Sequence, residues 1–399
     1  MNYEEAIRIF SMHPDVMKAG PPPAGDPASH GMVEVRFVDG EIWRVNPALA
    51  EPAGPNETEQ DRIERVHLGL DKLRGSKTPG DSAESDRSEL DRVVPLVRGA
   101  AYFSGENAIR PACVQWLTDF IGFGLAVDEP NTLRIVSDSA LPAARSEFDD
   151  FQLANRALVN FHEIGDSLVY GHIGLGPGVV ALLTPEGHEA SWFADALALG
   201  AIVARFEEQT GTPWVVIPVA RNDLLLADTA ADSWGELLDS LEAAVGTHFR
   251  IHPVPHMLVD GRWREHIPER LSPLLRRRLQ EVRVRAEASA YDIIPSGLYG
   301  DEGDTGFMAA YDVLDVGGEV RSRAVVPLAR ERTSIPKVDI IDFVDSGALY
   351  RVLFADVAVH LSHLMEPHGN ARPPRVVVRR PKARERTVLD ELGAAFPGR

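Results

Sequence analysis

Residues 214–228 read WVVIPVARNDLLLAD, two apolar runs about a short polar turn, and their reading decides the fold. Runs of this length joined so tightly predict a β-hairpin. It is the third such signal along the chain. In residues 32–46, MVEVRFVDGEIWRVN, Val33, Val35 and Phe37 alternate with polar residues, Asp39-Gly40 supplies a turn, and the apolar run restarts at Ile42. The segment GLAVDEPNTLRIVS repeats the pattern with its turn at residues 128–131, and a Val-Asp-Gly turn recurs at residues 259–261 within FRIHPVPHMLVDGRWREH.

Helical spacing fills the intervals. Ile63, Val66, Leu70 and Leu73 recur in residues 56–74 with Asn56 as the expected N-cap. Further helices are expected over residues 147–161, 189–209, 233–245 and 268–290. VVPLVR at 93–98 and GVVALLT read as strands. Near the C-terminus GFMAAYDVL, EVRSRAVVPL, VDIIDFVD and RVVVRR read as strands, and residues 352–365 and 388–395 as helices. Strands paired in hairpins, with helices between them, predict an α+β fold with mixed or antiparallel sheets rather than a doubly wound parallel sheet. The expected organisation is residues 1–74, an acidic linker or long loop at 75–92, a main region at 93–267, a connecting helix at 268–290 and a smaller α+β module at 291–399.

Composition narrows the function classes. The chain has 399 residues, 44% of them hydrophobic, enough for more than one core. Cys113 is the single cysteine, which rules out an intrachain disulfide and a cysteine-rich zinc site and points to a reducing cytoplasm. The opening MNYEEAIRIFSMHPD has two glutamates and no long apolar run, so no secretory signal is expected there. WFADALALGAIVARF, broken by Asp195 and Arg205, is too short to span a bilayer, and no membrane association is expected. Net charge is −19, and it is uneven: residues 1–261 hold 19 Lys+Arg against 40 Asp+Glu, residues 262–399 hold 22 against 20. The acidic part disfavours nucleic acid and favours a basic protein partner.

HIGLGPG places Gly174, Gly176 and Gly178 ahead of a strand, with Pro177 removing an N–H donor, and so reads as a turn rather than a phosphate cradle. His188 and Glu189 lie where a strand gives way to a helix, a position suited to ligand contact. His248, His252 and His256 recur every fourth residue; along a straight strand successive members stand ~13 Å apart, too far to share an ion without a sharp bend. His360 and His363, at i and i+3 on a helix with Glu366 and His368 nearby, are the better metal candidates, although the H-E-x-x-H pattern is missing. Cys113, near Arg110, reads as a small buried hydrophobe, and Asp149-Asp150 as helix-start carboxylates. Residues 375–386, RVVVRRPKARER, hold six basic residues in twelve and no aromatic ones, which fits a charged strand edge better than a base-stacking surface.

Several of these pieces together resemble the YtpQ-type family of bacterial proteins, a domain of unknown function. The matching stretches are VVPLVR at 93–98, AVDEPNTLRIVSDSAL at 126–141, ANRALVNF at 154–161, LLTPEGHEAS at 182–191, WVVIPVARNDLLLAD and HMLVDGRW, in order over residues 30–265. The resemblance implies an α+β fold in a bacterial cytoplasm and no particular reaction. With no cofactor loop or closed metal set, the sequence favours a non-catalytic binding or regulatory protein with no cofactor. The alternatives are a metal-assisted hydrolase built on His360, His363 and His368 or on the His188-Glu189 turn, and an acidic adaptor or immunity-type protein that caps a basic partner.

Overall fold

The hairpin at residues 214–228 forms the middle of a six-stranded antiparallel sheet in the computed structural model. The structure describes residues 3–21, 33–38, 42–45, 50, 58–75, 90–104, 113–129, 132–136, 148–164, 169–171, 174–185, 187–247, 250–292, 307–369 and 371–396. The elements divide into two compact units, one built on those before Val93 together with Val127–Arg134, the other on those from Val93 onward.

In the first unit, α1 (Tyr3–Ser11) precedes a sheet of β1 (Val16–Gly20), β2 (Val33–Phe37) and β3 (Ile42–Val45), and α2 (Glu59–Gly75) follows. Alternation buries Val33, Val35 and Phe37 against Ile9 and Phe10 of α1 and Ile63, Val66 and Leu70 of α2. Asn56 lies outside the described residues. Thr58 and Asp61 instead cap α2 reciprocally, each side chain meeting the other's backbone N–H at 3.2 Å. The expected linker at 75–92 also falls largely outside the described residues.

The second unit begins with β4 (Val93–Gly99), α3 (Ala100–Ser104), β5 (Gln115–Trp116) and the first part of β6 (Ile121–Glu129), whose end counts with the first unit together with most of its partner β7 (Thr132–Ile135). After α4 (Asp150–Ile164) come β8 (Tyr170–Gly171) and β9 (Val179–Leu182), then α5 (Ala196–Thr210), β10 (Trp214–Ala220), β11 (Asp223–Asp228), α6 (Trp234–Val245), β12 (His256–Val259) and β13 (Arg262–Glu265). The sheet order is β13-β12-β10-β11-β9-β8. Val215, Ile217 and Val219 of β10 and Leu225 and Ala227 of β11 pack under α6.

α7 (Pro273–Asp292) starts later than expected, because Ser272 caps it, its hydroxyl accepting from the Leu275 N–H at 3.3 Å and its carbonyl from the Arg276 N–H at 2.9 Å, and Pro273 occupies the first helical position. It serves two cores. Leu279 and Val282 join the β10–β11 layer, whereas Val284, Ala290 and Tyr291 join the C-terminal core.

That core lies between two small sheets. One is β15 (Asp312–Val316), β16 (Glu319–Pro327), β18 (Ile340–Asp345) and β19 (Ala348–Leu353), and the other is β14 (Phe307–Met308), β17 (Arg332–Pro336), β21 (Arg375–Arg379) and β20 (Met365–Pro367). β16–β18 and β14–β17 are parallel, so the α+β class stands, with mixed as well as antiparallel sheets. α8 (Phe354–His360) and α9 (Ala383–Ala394) complete the unit.

Three expectations are corrected. Residues 189–209 are not one helix: a 3₁₀ turn, Glu189–Ala194, ends at Asp195, whose carboxylate accepts from Leu197 and Ala198 N–H at 3.1 and 2.9 Å and starts α5 afresh. Val352 belongs to strand β19, where Arg351 grips Asp342 of β18 through two 2.8 Å bonds; the helix begins only at Phe354. β21 is an interior strand between β17 and β20, not an edge.

Candidate functional site

The Val-Asp-Gly signal closes the β12–β13 hairpin. Asp260 and Gly261 adopt φ of 52° and 72°, the left-handed pair of a tight two-residue turn whose twist suits the strands it joins. From that turn the register is counted outward: Val259 opposes Arg262, Leu258 opposes Trp263, Met257 opposes Arg264 and His256 opposes Glu265. Side chains directly opposite on one face stand within contact range. His256 therefore meets Glu265 by construction.

His252 reaches the same point by a bend. Ile251 and His252 N–H bond to Val219 and Pro218 carbonyls of β10, and then Val254 N–H turns back to the His252 carbonyl at 2.7 Å. Pro253 and Pro255 supply no N–H to continue a ladder, so the chain folds over itself within three residues. The straight-strand spacing expected for the histidines is replaced by ring centroids 5.9 Å apart for His252 and His256; His248 lies outside the described residues. His252 Nε2 stands 2.9 Å from Glu265 Oε1. Phe120 stacks on the His252 ring at 4.8 Å, and Phe193 meets the His256 ring edge-on at 5.3 Å.

His256 is wholly buried, and among the described residues neither ring nitrogen has a partner in good hydrogen-bonding geometry, although the Val254 backbone lies close enough to favour the protonated ring. Burial pushes its pKa down to about 4 against the pull of Glu265, so the ring is neutral at pH 7. Burial would raise Glu265, but the His252 hydrogen bond and the neighbouring positive charges outweigh it and hold the carboxyl below its ordinary range.

Glu265 forms part of the wall of a cavity of about 920 Å³. Across it, α7 contributes Arg283 and Glu287, one turn apart on the same face. Arg283 binds Glu287 at 2.7 Å and Asp339 at 2.8 Å. Tyr311 donates its hydroxyl hydrogen to Glu287 at 2.5 Å, while the Ser322 N–H and hydroxyl both donate to Asp339 at 2.9 Å. Lys337 at the wall pairs with Asp119 at 3.0 Å. Arg262 and Arg264, exposed on β13 beside the buried Trp263, also line the cavity, and no hydrogen bond or ion pair holds either among the described residues.

Glu287 is 3% exposed, and burial raises its pKa to about 7, opposed by Arg283 and reinforced by Glu265. A carboxyl raised above its unfolded value keeps a proton in the folded state that the unfolded chain has lost, so stability falls as pH rises through about 7. Glu287→Gln preserves the shape and the acceptor for Tyr311. Compared with this variant, the wild type is expected to lose thermal stability between about pH 5 and about pH 8. The groups facing Glu287, namely Arg283, Glu265, Tyr311 and His252, together with Asp339 across Arg283, are present in both proteins. Parallel pH profiles for the two would contradict the assignment.

The residues singled out from sequence go elsewhere. His363 pairs with Glu385 at 2.9 Å, His368 Nδ1 meets the Ser334 hydroxyl at 2.8 Å, and Glu366 is engaged by Arg379 and Arg332, while His360 is exposed at the end of α8. These side chains do not converge. The His188 N–H closes a turn on the Pro185 carbonyl at 3.0 Å, and Glu189 is buried with one carboxylate oxygen lacking a hydrogen-bond partner. Cys113 is buried with its sulfur 3.3 Å from Asp150, and Asp149 caps α4 through the Gln152 N–H at 2.8 Å. Gly174, Gly176 and Gly178 take φ of 80–86° between β8 and β9, as a turn requires; His172 lies outside the described residues. The basic run is largely engaged within its own module: Arg375 is buried on Ser334 and the Ala309 carbonyl, Arg380 pairs with Glu331 and Arg386 with Asp345.

Glu265, Arg283, Glu287, Asp339 and Tyr311 were not anticipated. Two signals for them stood in the sequence: the hairpin count from Asp260-Gly261, and the i, i+4 spacing of Arg283 and Glu287. No family model, curated protein or solved structure matches the chain.

Proposed function

We propose that the chain is a binding protein of the bacterial cytoplasm whose cavity takes a compact anionic small molecule bearing carboxylate or phosphate groups. One observation carries this reading: the cavity's inner charges are paired, whereas Arg262 and Arg264 stand at its wall with no acidic partner among the described residues. A guanidinium presents a planar fork that matches carboxylate and phosphate oxygens two at a time. The paired network of Arg283, Glu287 and Asp339 holds the opposite wall rigid, and Trp263 between the two arginines anchors the strand that carries them. A small ligand fits the cavity volume. The YtpQ-type resemblance is compatible with such a role and assigns no substrate.

Titration calorimetry with inorganic phosphate and with small dicarboxylates tests the reading. The wild type is expected to bind at least one of these anions, more weakly as salt rises. Arg262→Gln with Arg264→Gln is expected to lower the affinity by about tenfold or more, the loss of a charge-assisted hydrogen bond on each side. No heat from any anion, or the same affinity in the double variant, contradicts it.

A further inference from the structure

His256 lies inside the protein with neither ring nitrogen in good hydrogen-bonding geometry to any described residue, the Val254 backbone being its nearest polar neighbour, although buried polar atoms are almost always met by a donor, an acceptor, water or an ion. Around it the other donors are already assembled. Glu265 faces it across the hairpin, His252 is delivered by the Pro253–Pro255 bend, and the ligand atoms of all three lie within 4.8 Å of one another.

We infer that His252, His256 and Glu265 form a binding site for one divalent first-row transition ion, zinc foremost, with its remaining coordination position turned toward the cavity. Tetrahedral ligands about 2.0–2.1 Å from zinc stand roughly 3.4 Å apart, so modest side-chain rotation closes the set. The His252–Glu265 pair, at 2.9 Å, is already inside that spacing. Two imidazoles and a carboxylate are the donors zinc takes in sites that keep one position open. Phe120 and Phe193 pack on the two rings and hold their planes, so binding requires little ordering. Glu265 alone of the three reaches the cavity wall, which sets the direction of the open position.

The site stands on the unsatisfied imidazole and not on the arginines, so it and the anion reading fail separately. The test uses the full chain, purified without an affinity metal, loaded with zinc or cobalt(II), dialysed, and measured by elemental mass spectrometry and visible absorption. The wild type is expected to retain about one equivalent and to show the intense visible bands of low-coordinate cobalt. Glu265→Gln, His252→Gln and His256→Gln are each expected to retain less than roughly a tenth of that, while His360→Gln with His363→Gln retains it in full. If a buried-histidine variant fails to fold by circular dichroism, Glu265→Gln decides, since Glu265 lies on an edge strand with its side chain 26% exposed. Folded wild type that holds neither metal, or a Glu265→Gln protein that holds as much as wild type, overturns the inference, and so does loss confined to the His360/His363 variant.

Discussion

Arg283→Met is expected to destabilise the second, larger unit by about 3–5 kcal/mol, the usual consequence of removing one partner from a buried charge network. Arg283 is the shared cation of Glu287 and Asp339, and all three residues line the cavity. Methionine keeps the packing of the aliphatic stem and deletes only the charge. The loss is expected to grow with pH: Glu287 already holds its proton up to about 7 and relieves part of the exposed imbalance when neutral. Adding Glu287→Gln to Arg283→Met should restore about 1–3 kcal/mol, the coupling typical of neighbours in one network. Urea unfolding of the four proteins checks the cycle. A loss below about 1 kcal/mol for Arg283→Met, in the range of exposed pairs, would mean that the network is solvated and does not stiffen the wall.

Trp263→Ala is expected to remove about 3–5 kcal/mol and to abolish anion binding at the same time. The indole is 5% exposed, stacks on Phe193 with centroids 4.8 Å apart and donates its N–H to the Phe193 carbonyl at 3.0 Å. It sits between Arg262 and Arg264, so losing it frees the strand that aims both guanidiniums. Trp263→Phe retains the stack and loses the hydrogen bond, and is expected to give up only about 1 kcal/mol and most of neither function. Retained anion affinity in Trp263→Ala would detach the arginines from the site.

Much of the fold was legible in the sequence because its signals are local. Alternation in residues 32–46, the run at 214–228 and the Asp260-Gly261 turn each depend on a few neighbouring side chains, and each forms the strand pair they predict. Where the reading slipped, a side chain competed with the backbone or a distant strand decided the outcome. Asp195 breaks an otherwise continuous helical pattern by capping from within it. Val352, spaced as a helical residue, pairs with Ile341 of a strand whose position no local pattern encodes. The basic run at 375–386 resembled a protected edge because nothing nearby shows that β20 and β17 flank it.

The candidate site was less legible because it is assembled from separate elements. The spacing of His252 and His256 along a straight strand implies ~13 Å between them, whereas Pro253 and Pro255 make the bend that unites them. Glu265 could have been found by counting from the turn. Asp339 and Tyr311 could not, since only the packing of α7 on the C-terminal sheets brings them to Glu287 and Arg283. The favoured histidines at 360, 363 and 368 shared one stretch of sequence but three separate environments.

Amide hydrogen exchange of the full chain, with and without a saturating anion chosen by calorimetry, is the most direct test of where the function resides. Slowed exchange confined to residues 116–120, 258–265 and 337–339, with residues 174–178 and 360–368 unchanged, is the predicted result. Slowing at the glycine turn or around His360 instead, with the β12–β13 hairpin unaffected, would contradict the assignment of the cavity as the binding site.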